Sequence, residues 1–119
     1  MVKSESAIGY GHKLPPEDLL DIESARVLAD RFKLLADPGR LRMIDALVES
    51  GELCVSDLAR AVEASESATS HQLRQLRLAG LVRARKQGRE VFYKVADSHV
   101  RLLLDVAVEH YLHDHDSLR

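Results

Sequence analysis

The chain switches between two hydrophobic periods. From Ile22 to Leu35 apolar residues recur at helical spacing, with Ala25, Leu28, Phe32 and Leu35 on one stripe. Asp37-Pro38 then reads as a second helix start, because Asp37 can cap and proline suits a first turn whose N–H needs no partner. Leu41, Ile44, Ala46, Leu47 and Val48 carry that helix to Ser50-Gly51. A short helix is predicted over roughly Val55 to Ala61, with Ser56-Asp57 near its start. After a brief turn Ser65 opens another, and Glu66 places an acid in its first turn, where the helix dipole favours one. Leu73, Leu76 and Leu78 supply its apolar side and Ala79-Gly80 ends it. The period then drops to two. Leu81 to Arg85 and Val91 to Val95 read as strands around a Gly-containing tip, Lys86 to Glu90. Ser98 to about His113 is helical again. The predicted fold is mainly α with a small β-hairpin, in the order helix, helix, short helix, helix, hairpin, helix.

A length of 119 residues fits one domain. The first 18 residues, with Gly, Ser and Pro15-Pro16, read as a flexible arm. Residues 19–116 hold the domain and 117–119 a tail. The N-terminus has no apolar stretch of signal-peptide type, and no apolar run approaches the ~20 residues that span a bilayer. The single cysteine, Cys54, excludes an internal disulfide and fits a reducing compartment. These features predict a cytoplasmic protein with no membrane partner. The net charge of −2 advertises no polyanion. Its distribution says more: Arg74 to Arg89 carries five arginines, one lysine and no acid. Such a patch can bind phosphate, although a solvated basic face has the same composition.

The order of elements narrows the choice. A short helix, a tight turn and a second helix form a helix-turn-helix, and a basic hairpin directly after it makes a wing. The N-terminal half of the second helix enters the DNA major groove in this motif. Here that half carries Ser67, Thr69, Ser70, His71 and Gln72, which can hydrogen-bond base edges or phosphates. Arg74 and Arg77 lie further along, within reach of phosphates. Lys86 and Arg89 at the hairpin tip can contact the backbone or the minor groove.

At these residues the chain resembles a known family. ELCVSDLA, SESATSHQLRQLRLAGLV and KQGREVFY are similar to the winged helix-turn-helix core of the ArsR/SmtB metal-sensing repressors. The resemblance covers about residues 22 to 113. It implies a homodimer that binds double-stranded operator DNA as apo-protein and releases it on binding a metal or another inducer.

Four of the six histidines lie between Asp97 and Asp116. Asp97 and His99 open the last helix, and His110 and His113 lie near its end. His110 and His113, three apart, share a face of an α-helix. His99 lies on that face too, but eleven residues from His110, roughly 16 Å along the axis at 1.5 Å per residue. Zinc–nitrogen bonds are about 2.0–2.1 Å, so one helix cannot bring all four groups to one ion. Two antiparallel copies can: Asp97 and His99 of one meet His110 and His113 of the other, giving two sites per dimer. Leu103 and Val106 on the same face suit the helix–helix seam, while Val100, Leu104, Ala107 and Tyr111 suit packing on the domain. Three imidazoles and a carboxylate suit Zn²⁺ or Co²⁺. The D-x-H and H-x-x-H pairs match the last-helix zinc site of the family's zinc/cobalt-sensing members. His115 and His12 are possible extra ligands, and recruiting them would favour Ni²⁺. The bland reading is that Asp97 caps the helix and the histidines are solvated.

A second sensor position is Cys54 with Asp57. In some relatives the ELCV segment supplies a thiolate, often as Cys-x-Cys, but here the second position is Ser56. The alternative function is therefore a winged-helix regulator that senses redox state or another ligand through Cys54, with incidental histidines. A small zinc hydrolase is a third reading, but the chain lacks His-Glu-x-x-His or a clear general base beside the ligands. No enzyme activity is predicted.

Overall fold

The computed structural model describes residues 15–113. Most of the predicted arm, with His12, and the residues beyond 113, with His115, lie outside that range. The chain divides into two units with a boundary between Lys33 and Leu34.

In the first unit Pro16–Asp18 forms one 3₁₀ turn. The Asp21 carboxylate then accepts from the Ser24 N–H at 2.7 Å, at the start of α1 (Ile22–Leu35). The predicted stripe is present, yet no residue of α1 is buried, and Leu28 and Phe32 stand exposed.

The second unit takes in Leu34 and Leu35, which pack on its core. Asp37 caps α2 (Pro38–Ser50) by accepting from the Arg40 N–H at 2.9 Å. Asp37→Ala is expected to lower stability by about 0.5–2 kcal/mol, read as a shift in urea midpoint at unchanged slope. A two-residue strand, β1 (Leu53–Cys54), leads into α3 (Val55–Val62). The turn after α3 passes through Glu63 in the left-handed region, with Ala64 N donating to Ala59 O at 2.9 Å. Ser65 then caps α4 (Glu66–Leu78) by accepting from Ala68 N at 3.0 Å. Strands β2 (Val82–Gln87) and β3 (Glu90–Val95) pair antiparallel, and the sheet order is β1-β3-β2. The last helix, α5 (Ser98–Val108), ends in a π-wound turn, Glu109–His113.

The core gathers Met43, Ile44, Leu47 and Val48 of α2, Leu58 and Val62 of α3, Leu73 and Leu76 of α4, and Val82 of β2. Val100 and Leu104 of α5 pack against it. Several expectations change. The hairpin tip is shorter than Lys86–Glu90: Gln87 pairs with Glu90, leaving Gly88-Arg89 as a two-residue turn. Gly88 takes φ +63°, which the first central position of such a turn requires. Leu78 is 76% exposed, because it lies two residues past Leu76 and points to the opposite side of the helix. Ala107 and Tyr111 are also exposed, since α5 meets the core through Val100 and Leu104.

Candidate functional site

Helix α4 has an inward and an outward side, set by its period. Leu73, Leu76 and Thr69 face in, and Thr69 is 0% exposed with its hydroxyl unpartnered. This corrects the expectation that Thr69 reaches DNA: its spacing of four from Leu73 puts it on the core stripe. Ser67, His71, Arg74 and Arg77 are exposed, and Ser70 and Gln72 are half-buried. The outward set is thus two hydroxyls, an imidazole and two guanidinium groups along one helix, while the Gln72 amide oxygen is buried without a hydrogen-bond partner.

A polar network ties this helix to the start of α2. Arg40 Nη2 donates to Gln75 Oε1 at 2.8 Å, and Arg40 Nη1 donates to the Leu34 carbonyl at 3.3 Å. Gln75 Nε2 in turn lies 3.3 Å from His71 Nε2. Neither Arg40 nor Gln75 was singled out from the sequence. The four-residue offset of His71 and Gln75 is a helical-neighbour signal, but nothing local connects them to Arg40, 35 positions away.

Behind α4 the wing is braced. Arg85 Nε and Nη2 donate to the two Glu52 carboxylate oxygens, each at 2.8 Å, and the guanidinium lies 5.0 Å from the Phe92 ring centre. The sequence reading missed this pair too. The Arg85 hydrogen bonds hold the Glu52 carboxyl below the usual glutamate range, and Glu52 raises Arg85 in return. A depressed folded-state value contributes stability above the unfolded value and loses it as pH falls through the depressed one. Glu52→Gln should therefore flatten the acid limb of stability against pH, checked by urea unfolding in a pH series. Arg85 is committed to this fork, whereas Lys86 and Arg89 stand exposed at and beside the tip.

The last helix carries the third group. Asp97 caps α5, accepting from His99 N at 2.9 Å and Val100 N at 3.3 Å. The same oxygen, Oδ1, lies 3.5 Å from His99 Nδ1. His110 is exposed and stacks edge-on against Tyr111, ring centres 4.6 Å apart. His113 closes the π-wound turn. In such a turn each residue advances less around the axis than in an α-helix. The backbone from Glu109 to His113 is thus π-wound where an α-helix was predicted. Among the described residues no three His, Cys, Asp or Glu groups of one chain gather around a common point. Leu103 and Val106, between the two ends, are 45% and 57% exposed.

The second predicted sensor position is Cys54 with Asp57. Cys54 is buried with Sγ 3.3 Å from Ser56 Oγ, while the Asp57 carboxylate pairs with Arg60 at 3.1 Å. Cys54 instead lines a cleft of about 330 Å³ with Glu66, Ser70, Arg89 and Tyr93.

Among the described residues no helix is long and apolar enough to cross a membrane. Residues 37–84 match the model of the arsR family of bacterial regulatory proteins. The chain is 47% identical over 93 residues to a transcriptional repressor SmtB homolog of Synechocystis, covering 78% of this chain and 70% of that protein. It is 43% identical over 100 residues to the HTH-type transcriptional regulator NmtR of Mycobacterium tuberculosis, covering 84% and 82%. A homodimeric winged helix-turn-helix DNA-binding domain from Mycobacterium bovis superposes with a TM-score of 0.68 at 33% identity, covering 80% of this chain and 93% of that one. On these grounds the chain belongs to the arsR family of bacterial regulatory proteins, as a winged helix-turn-helix transcriptional regulator and not an enzyme.

Proposed function

We propose that the protein is a metal-responsive repressor: a homodimer that holds double-stranded operator DNA as apo-protein and releases it on binding Zn²⁺, with Co²⁺ and Ni²⁺ as alternatives. Helix α4 enters the major groove with Ser67, Ser70, His71 and Gln72, Arg74 and Arg77 reach phosphates, and Lys86 and Arg89 of the wing take the backbone beside it. The likeness to a repressor and to a homodimeric DNA-binding domain supports this reading.

The metal ligands proposed are Asp97 and His99 of one subunit with His110 and His113 of the other. The observation that carries this choice is the pairing of Asp97 Oδ1 and His99 Nδ1, 3.5 Å apart, at the opposite end of α5 from His110. The donors fit the ion in kind: nitrogen and carboxylate oxygen are both zinc ligands. Roughly 16 Å of helix separates the two ends, so a complete set needs a second chain. The exposed Leu103 and Val106 between the ends offer apolar area for two such helices to pack. A bound divalent ion supplies a crosslink between the two last helices. Asp97 and His99 contribute a preformed pair of donors, and α5 carries any change in their position to the domain through Val100 and Leu104. By linkage, DNA and metal weaken each other's binding by one common factor.

The test is operator affinity by fluorescence anisotropy, on DNA enriched from a random pool, with and without each ion. One ion should weaken binding about 10-fold or more, a coupling of about 1.4 kcal/mol. Binding that ignores all three ions would sink the metal-sensing reading while leaving DNA binding in place.

A further inference from the structure

We propose that Arg40, acting through Gln75, fixes which nitrogen of His71 carries the proton, and thereby which DNA atoms His71 can recognise. This rests on the reading of α4 as the helix that meets DNA. It concerns a residue of α2 that lies outside the outward set of α4.

A guanidinium group can only donate hydrogen bonds. The Arg40 Nη2 contact at 2.8 Å therefore takes the carbonyl end of the Gln75 side chain. The other end of that amide is NH₂, which also only donates. Its partner at 3.3 Å, His71 Nε2, must then accept. A neutral imidazole has one acceptor nitrogen and one N–H, so the proton of His71 sits on Nδ1. Donor follows acceptor along the whole chain, and no member can reverse without setting donor against donor.

The first member is anchored. The backbone N–H of Arg40 is held by the Asp37 cap at 2.9 Å, and its Nη1 by the Leu34 carbonyl at 3.3 Å. The last member is exposed on the outward side of α4. His71 thus offers an N–H donor, which suits guanine O6 and N7, adenine N7, thymine O4 or a phosphate oxygen, and is refused by the cytosine amino group. Arg40 and Gln75 are positioning residues in this scheme, and His71 makes the contact.

The experiment reads the imidazole nitrogens of the full chain by ¹⁵N NMR at a pH where His71 is neutral, with its signals assigned by their loss in His71→Asn. Wild type should show the Nδ1–H form without DNA. Gln75→Leu and Arg40→Met should both populate the Nε2–H form. Gln75→Glu should go furthest, because a carboxylate accepts from Arg40 and from His71 alike and draws the proton to Nε2. Gln75 is half-buried on a helix surface, so its variants test the relay even where Arg40→Met fails to fold. Wild-type His71 in the Nε2–H form, or a form unmoved by the Gln75 variants, would overturn the proposal. Enrichment of operators by wild type and by Gln75→Glu then tests recognition, with base preference at one position expected to change about 5-fold or more. A tautomer that moves without any change in base preference overturns the recognition claim alone. Failure of wild type to bind any DNA overturns the underlying reading of α4 instead.

Discussion

Replacing Leu73 with alanine is expected to cost about 2–5 kcal/mol of folding stability, the range for deleting a fully buried leucine. Leu73 is 0% exposed and sits with Leu47, Leu58 and Leu76 in the shared core of α2, α3 and α4. Alanine is the best helix former, so α4 gains slightly in local propensity. The loss comes from the missing contacts and from a cavity that three fixed helices cannot close. A domain with about 5–15 kcal/mol in hand would then be partly unfolded at modest temperature. The check is urea unfolding at matched protein concentration, because the proposed dimer would couple stability to concentration. Leu78→Ala is the internal control: the side chain is exposed, and the change should stay within about 0.5 kcal/mol. A Leu73→Ala cost below about 1 kcal/mol would contradict the packing described for α4.

The second large effect concerns the proposed metal sites. Homodimers of His99→Ala and of His110→Ala should each lose tight metal binding, because every site lacks one imidazole. Mixing the two variants should restore it in part. In a mixed dimer one site carries both defects and the other carries none, so tight stoichiometry should rise from about zero to one ion per mixed dimer, half the wild-type value. Calorimetric titration, with Co²⁺ absorption as a second readout, follows this directly. Ligands drawn from a single chain would leave every site of the mixture defective, and no recovery would appear. The expectation follows from helix length alone, since the two ends of α5 are too far apart to serve one ion.

Much of this architecture was legible in the sequence. The Asp37-Pro38 start and the Ser65 cap are local chemistry, and both caps form the expected bonds. The helix-turn-helix and wing followed from changes of period. What escaped has physical causes. Strand β1 is two residues long and exists only because β3 pairs with it, so no local pattern announces it. Thr69 looked like its polar neighbours, but helical register outranks side-chain polarity when four residues separate it from Leu73. The π-wound turn Glu109–His113 at the end of α5 departs from the predicted α-helix, and no residue type in it announces the change. The Glu52–Arg85 fork and the Arg40–Gln75–His71 relay join positions distant in the chain, where a charge or an amide gives no hint of its partner.

The two-sided character of α4 bears on how such a protein diversifies. Thr69, Leu73 and Leu76 are held by the core and leave little room for change. Ser67, His71, Arg74 and Arg77 have their side chains outside it. Inheritance can thus redraft the outer vocabulary of the helix while its inner grammar stays fixed. On the proposed reading of α4 as the helix that meets DNA, new operators become reachable through single substitutions that leave the domain folded, and a duplicated copy of the gene could drift to a different promoter without first passing through an unstable ancestor.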